Sequence, residues 1–169
     1  MLAIKILLFL FIIIISTYIG IIYSQKFINR VNLLKNFKSA LIMLKTKIQY
    51  TYLPLGEIFI DIANSLQGEV GKFFQIAHKQ IETLGATQGF NMALENTKID
   101  ITKQDKETLK NLSKMLGATD ISGQVNEIEL TLNFLEKQIE QAEIEKEKNA
   151  KLYKTFGAVA GITIVIILL

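Results

Sequence analysis

The chain has 169 residues, half of them hydrophobic, with a formal net charge of +3, no cysteine, no tryptophan and a single histidine. That length suits one domain with membrane segments attached. The missing cysteines exclude disulfides, thiolate metal sites and cysteine nucleophiles, and His78 alone cannot build a histidine-rich metal centre, so it reads as a helix-flank residue. Charge is segregated: residues 26–56 carry Lys26, Arg30, Lys35, Lys38, Lys45 and Lys47 and no acid, whereas 57–154 carry all sixteen acids against twelve lysines. Such asymmetry marks a membrane or nucleic-acid surface, and the apolar segment just upstream favours the membrane.

From Ile6 to Gln25 no residue is charged, and twenty residues make about 30 Å of helix, the thickness of a hydrocarbon core. A cleaved signal peptide would have a shorter apolar region and a small-residue cleavage site; none precedes Lys26. Residues 1–25 are therefore expected to be an uncleaved transmembrane anchor, with Tyr18 and Tyr23 at the interface. Phe27, Val31, Leu34, Phe37, Leu41, Leu44 and Ile48 follow at spacings of four and three, an apolar seam that carries the first helix on to about Tyr50. The only proline lies in YTYLPLGEIF, Tyr50 to Phe59. Pro54 lacks an N–H and biases Leu53 away from helix, so this stretch reads as a corner between two helices.

The second helix runs to about Gln67, with Ile58, Phe59, Ile62, Ala63 and Leu66 on one side, and Gly68 and Gly71 bracket the next turn. Phe73, Phe74, Ile76, Ala77, Ile81 and Leu84 mark a third helix closed by Gly85. A short fourth surrounds Phe90, Met92 and Leu94. Thr102-Lys-Gln-Asp105 resembles a capping box with aspartate in place of the usual longer acid, opening a fifth helix whose apolar face is Leu109, Leu112, Met115 and Leu116 and which Gly117 closes. Asp120 or Ser122 starts the last helix, with Ile121, Val125, Ile128, Leu132, Leu135, Ile139 and Ala142 as its seam; beyond these, Glu143 with Lys146 and Glu147 with Lys151 can pair along the helix. No stretch has a strand pattern. The expected fold is all-α: a bundle of about six helices over residues 26–154, its first and last helices long, flanked by hydrophobic membrane segments at both ends.

Residues 155–169 are uncharged but give only about 22 Å of helix, short for a span. Spanning or deep insertion is expected, with Lys151 and Lys154 snorkelling. Gly157 and Gly161 form a small-xxx-small pair that would let another helix approach closely in the membrane; glycine is also simply commoner in membrane helices, and the two readings stay open. The basic residues after the first segment and before the second place residues 26–154 in the cytoplasm with both termini outward.

The acids are scattered over helix faces, and no Ser–His–Asp order is plausible around His78. Gly85-Ala-Thr-Gln-Gly89 lacks the Lys-Ser/Thr of a phosphate-binding loop. No enzyme activity, catalytic residue, cofactor or metal is expected. The basic run stands beside an anchor and lacks recognition features, so no nucleic acid is expected either. The first seam uses Phe37, Leu41, Leu44 and Ile48, which leaves Lys35, Lys38, Lys45 and Lys47 expected to be solvated, as candidate partner-binding residues.

The residues also carry a resemblance. Lys47 to Phe59 resembles the Tyr-x-x-x-Pro-Leu-x-x-x-Phe corner of the stage III sporulation protein AB family. Leu116 to Leu169 is similar to that family's Leu-Gly-x-Ser-Asp segment, long helix, Glu-x-x-Lys-Asn-x-x-x-Tyr run and glycine-containing apolar tail. The matching positions are Leu116, Gly117, Asp120, Gln124, Leu132, Leu135, Glu136, Glu145, Lys148, Asn149, Tyr153 and Gly157. The chain departs from the pattern at Thr119, Phe90 and Tyr52, where the family usually has serine, tryptophan and threonine. The resemblance implies a helical domain like the cytoplasmic domains of the platform proteins of type II secretion and type IV pilus machines. It implies a non-enzymatic component of the channel complex joining mother cell and forespore in endospore formation. The location implied is the outer forespore membrane, on the mother-cell side, with the soluble domain in the mother-cell cytoplasm. Partners implied are the secretion-type ATPase of the same operon (stage III sporulation protein AA), the other membrane proteins of the channel and the lipid bilayer; a homo-oligomer is left open. Lys26 and Arg30 lie closest to the bilayer and suit anionic lipid. Lys45 and Lys47 stand some 20 residues beyond it, about 30 Å of helix and well past a Debye length of ~8 Å, and are expected to meet an acidic surface of the ATPase. The rivals are a helical membrane scaffold or tether outside sporulation and a membrane-bound nucleic-acid binder.

Overall fold

The computed structural model describes residues 2–168. Met1 and Leu169, the outermost residues of the two expected membrane segments, lie outside the described residues. Among the described residues there are five helices and no strand: α1 (Leu2–Tyr50), α2 (Leu55–Ser65), α3 (Gly68–Asn96), α4 (Lys103–Ser113) and α5 (Ile121–Leu168). The chain divides into two compact units, one made of Met1–Val31 with Gln141–Leu169, the other of Asn32–Glu140. α1 and α5 contribute to both. Both are long and apolar enough to cross a membrane by length and composition.

The unit Asn32–Glu140 is a helical bundle. On α1 the expected seam is buried from Val31 through Leu34, Phe37, Leu41, Leu44 and Ile48, joined by Leu33 and Ala40. The corner is where Pro54 demands it. The last turn of α1 closes with Thr51 N–H donating to Lys47 O at 2.9 Å; Tyr52 then takes a left-handed φ of 54°, and Pro54 caps α2 with φ −59° and ψ 146°. Tyr52 is 86% exposed, so its ring gains little packing in return for a conformation rare outside glycine, asparagine and aspartate.

The third and fourth helices of the sequence reading are two limbs of α3. They meet at Gly85, whose φ of 78° and ψ of 169° leave the helix. The second limb folds back on the first: a Cβ on Gly89 would lie 3.0 Å from the backbone N of Ile81. That reversal brings Phe90 edge-on to Phe73, ring centroids 4.8 Å apart, and Phe37 of α1 and Phe59 of α2 close on the same cluster, at 5.4 Å from Phe73 and 5.5 Å from Phe74. Each such aromatic pair adds about 0.5–1.5 kcal/mol beyond its burial.

α4 opens on a complete capping box. Asp105 N–H donates to Thr102 Oγ1 at 3.2 Å, and Thr102 N–H donates to Asp105 Oδ2 at 3.0 Å; the shorter acid suffices. The helix ends at Ser113, earlier than its apolar pattern suggests. Leu116 sits in the following turn, yet stays buried, with Gly117 at φ 71°.

α5 differs most from expectation. Its buried line is Gln124, Ile128, Thr131, Leu135, Gln138 and Ala142, with Ile139 beside it. Val125 and Leu132 are only half-buried, and Ile121 is exposed. The seam is turned by one residue toward polar positions. Apolarity alone favours Leu132 over Thr131, but the helix is oriented by its hydrogen bonds as well: Gln124 Nε2 donates to Thr119 O, its Oε1 accepts from Gly117 N–H, and Gln138 Nε2 donates to Thr108 Oγ1 of α4 at 2.8 Å. Leu135→Ala should therefore cost roughly 2–5 kcal/mol, and Leu132→Ala clearly less. Chemical denaturation followed by circular dichroism measures both; equal costs would place Leu132 in the core after all.

Candidate functional site

In the unit formed by the two chain ends, small residues replace a side-chain interface. α1 carries Ser16 and Gly20, α5 carries Gly157 and Gly161, each pair one helical turn apart. A Cβ on Gly20 would stand 2.5 Å from Tyr153 O and 2.9 Å from the Cα of Gly157. One on Gly157 would stand 2.8 Å from Ser16 O, and one on Gly161 would stand 3.0 Å from the Cα of Ile13. The backbones thus touch, and Ser16 Oγ–H donates across the contact to Gly157 O at 2.6 Å. A hydroxyl bond of this kind between membrane helices is worth roughly 0.6–2 kcal/mol.

Next to the glycine contact the pair becomes aromatic and then charged. The Tyr153 ring stacks on Tyr23 at 5.9 Å and on Phe27 at 5.7 Å. Lys26 Nζ lies 5.5 Å over the Tyr23 ring, within cation–π range. Arg30 follows, its side chain only 10% exposed, and donates to Glu145 Oε2 at 2.6 Å. Apolar segment, aromatic belt and cation occur in the order that a membrane boundary sorts them.

Within Asn32–Glu140 the four candidate lysines separate. Lys35 is exposed. Lys38 bonds Glu136 at 2.7 Å, Lys45 bonds Glu129 at 3.2 Å and Lys47 bonds Asp61 at 2.8 Å. These three are half-buried rather than fully solvated. They flank the buried seam of α1, so their stems overhang the neighbouring helices, where α5 and α2 present acids. Such surface pairs contribute about 0–1 kcal/mol each.

No group of three or more acidic, histidine or cysteine side chains that could hold a metal occurs among the described residues. His78 is structural: its Nδ1 meets Gly56 O at 2.8 Å, tying α3 to α2. A cleft of about 460 Å³ between α3 and α4 is lined by Lys103, Lys106, Lys110, Glu95 and Glu107, without a nucleophile beside a base.

Gly157 and Gly161 lie at the helix contact, whereas Ser16 and Gly20 were not singled out from sequence, and Arg30, expected to suit anionic lipid, is largely buried and paired with Glu145. Ser16-x-x-x-Gly20 is itself a small-xxx-small pair, the signal that matches the two motifs to each other. Gly157→Leu should lower the melting temperature of the full chain in detergent. Ala160→Leu, at an exposed position of the same helix, should leave it unchanged; equal effects would mean the close approach contributes nothing.

Comparison with known proteins matches residues 5–169 to the family described as stage III sporulation protein AB. Stage III sporulation protein AB of Bacillus subtilis (strain 168) is 26% identical over 163 residues, covering 94% of this chain and 95% of that protein. A solved structure of a stage III sporulation protein AB is 25% identical and superimposes with a TM-score of 0.67, covering 71% of this chain and 98% of its own.

Proposed function

Because the chain belongs to the stage III sporulation protein AB family, we propose that it is a non-enzymatic membrane platform of the mother cell–forespore channel, docking a secretion-type ATPase. The observation that carries this reading is the extent of the match. It runs from residue 5 to residue 169 and so takes in both apolar ends as well as the helices between them. An anchor at each end with a helical bundle between is what a platform requires: a fixed position at the bilayer and a folded surface for a soluble partner. In this reading the protein sits in the outer forespore membrane, residues 26–154 face the mother-cell cytoplasm, and neighbouring channel proteins share the bilayer.

The basic side of α1 is the proposed ATPase contact. The ion pairs of Lys45 with Glu129 and Lys47 with Asp61 do not preclude this. A partially exposed pair is weak enough for a partner's carboxylates to compete for the lysine, and Lys35 and Lys38 extend the same helix.

Two experiments test the reading. A reporter fused near Gln88 should behave as cytoplasmic; activity only on the far side of the membrane would overturn the orientation. Lys45→Glu/Lys47→Glu should weaken binding of the operon's ATPase, most strongly at low salt, where charge contacts are least screened. Lys45→Gln/Lys47→Gln serves as a milder control, since the reversals also face Glu129 and Asp61. Binding equal to the parent's at low ionic strength would remove these lysines from the contact, and no binding by the parent would remove the ATPase from the proposal.

A further inference from the structure

Lys103, Lys106 and Lys110 follow along α4 at spacings of three and four, which puts them on one helix face. That face walls the cleft of about 460 Å³ against α3, with Glu107 beside it and Glu95 across from it. Lys103 and Lys110 are exposed and Lys106 is half-buried, while Leu94, also in the lining, is buried and gives the cleft an apolar floor. Lys38, Lys45 and Lys47 of α1 are spent on Glu136, Glu129 and Asp61. The lysines of α4 are not. Among the described residues no ion pair engages Lys103, Lys106 or Lys110, although Glu107 stands at pairing distance along the helix from two of them. Folding alone does not favour this placement. Lys103 is the first residue of α4 and Lys106 ends its first turn, where the positive end of the helix dipole opposes a cation. A local preference broken in this way marks side chains kept for another purpose.

We propose that this cleft docks an acidic helical segment of a soluble protein, laid along α4 with its carboxylates on Lys103, Lys106 and Lys110 and its apolar side chains over Leu94. Charge complementarity selects that occupant. Three unspent lysines and the positive end of a helix dipole converge on a stretch about 10 Å long. Carboxylates at spacings of three and four on a partner helix match it, and apolar residues on the same face meet Leu94 and the aliphatic stems of the lysines. The two glutamates decide against a nucleic acid. Its closely spaced phosphates would have to pass Glu95 and Glu107, whereas a protein helix sets neutral side chains opposite them, so the acids act as a filter on what the lysines attract. A contact of this size is weak and salt-sensitive. The proposed ATPase contact uses α1, so this inference on α3 and α4 stands apart from that reading.

The test is fluorescence anisotropy with the full chain in non-ionic detergent. The probe is a fluorescein-labelled amphipathic helical peptide whose glutamates flank a leucine stripe. The parent should bind it, more weakly as salt rises, and should not bind the same peptide with glutamine for glutamate. Lys103→Glu/Lys110→Glu should weaken binding about tenfold, since each reversal turns an attraction into a repulsion. Its helicity should be retained on circular dichroism, because glutamate suits a helix N-terminus better than lysine does. Lys45→Glu/Lys47→Glu changes the net charge equally and should leave peptide binding as in the parent. A parent that does not bind, or a loss equal in the two double variants, would overturn the proposal. Displacement of the peptide by an oligonucleotide of equal charge at lower concentration than by unlabelled peptide would also overturn it, in favour of a phosphate-bearing partner.

Discussion

The contact between Phe73 and Phe90 holds the helical unit in its arrangement. The two rings belong to one helix and stand 4.8 Å apart only because α3 reverses at Gly85. A side chain there would be forced into a φ of 78°, which residues other than glycine adopt at a cost. Once the reversal is made, the two limbs present Phe73, Phe74 and Phe90 together, and Phe37 and Phe59 dock from α1 and α2. Three helices are fixed by a single cluster. The Pro54 corner serves it by delivering α2, and with it Phe59, a short distance after α1 ends.

The unit made of the chain ends rests on a different balance. Apolar helices gain nothing from each other by the hydrophobic effect when lipid is the alternative. What distinguishes the observed pairing is backbone approach at Gly20 and Gly157, the Ser16 hydroxyl bond and the stack of Tyr153 on Tyr23 and Phe27. The Arg30–Glu145 pair adds selectivity more than strength. Arg30 is 10% exposed and Glu145 35%, so the pair is part-buried, and losing one partner costs less than it would in a fully buried pair. Alternative alignments of the two helices would leave that arginine without its acid.

Much of this was legible in the sequence. The α1 seam, the proline corner, the Thr102–Asp105 capping box and the glycine at the α3 reversal are local signals, each read within a few residues. The line of α5 was not, because Leu132 outranks Thr131 on apolarity, whereas the helix is also oriented by amides, and one of them finds its partner far away in the chain. Gln138 bonds Thr108, thirty residues earlier, and no periodicity reveals such a pairing. The lysines of α1 were read as solvated for the same reason. Glu136 and Glu129, the acids of Lys38 and Lys45, sit some 90 residues downstream, and only the packing of α1 against α5 brings them within reach; Asp61, the acid of Lys47, lies across the Pro54 corner on α2. Gly20 escaped notice because its spacing from Ser16 acquires meaning only opposite Gly157.

The amides of α5 have a mechanical consequence. Gln124 is held by Gly117 and Thr119, and Gln138 by Thr108, two fixed points fourteen residues, about 21 Å, apart along the helix. An all-leucine seam is nearly indifferent to small axial displacement, since one apolar neighbour substitutes for the next. Here a shift by even one turn would strand buried amide groups at about 1–3 kcal/mol each. α5 is thus keyed to its bundle like a splined shaft: it can bear load along its axis without slipping, and the whole helix must move if any of it does.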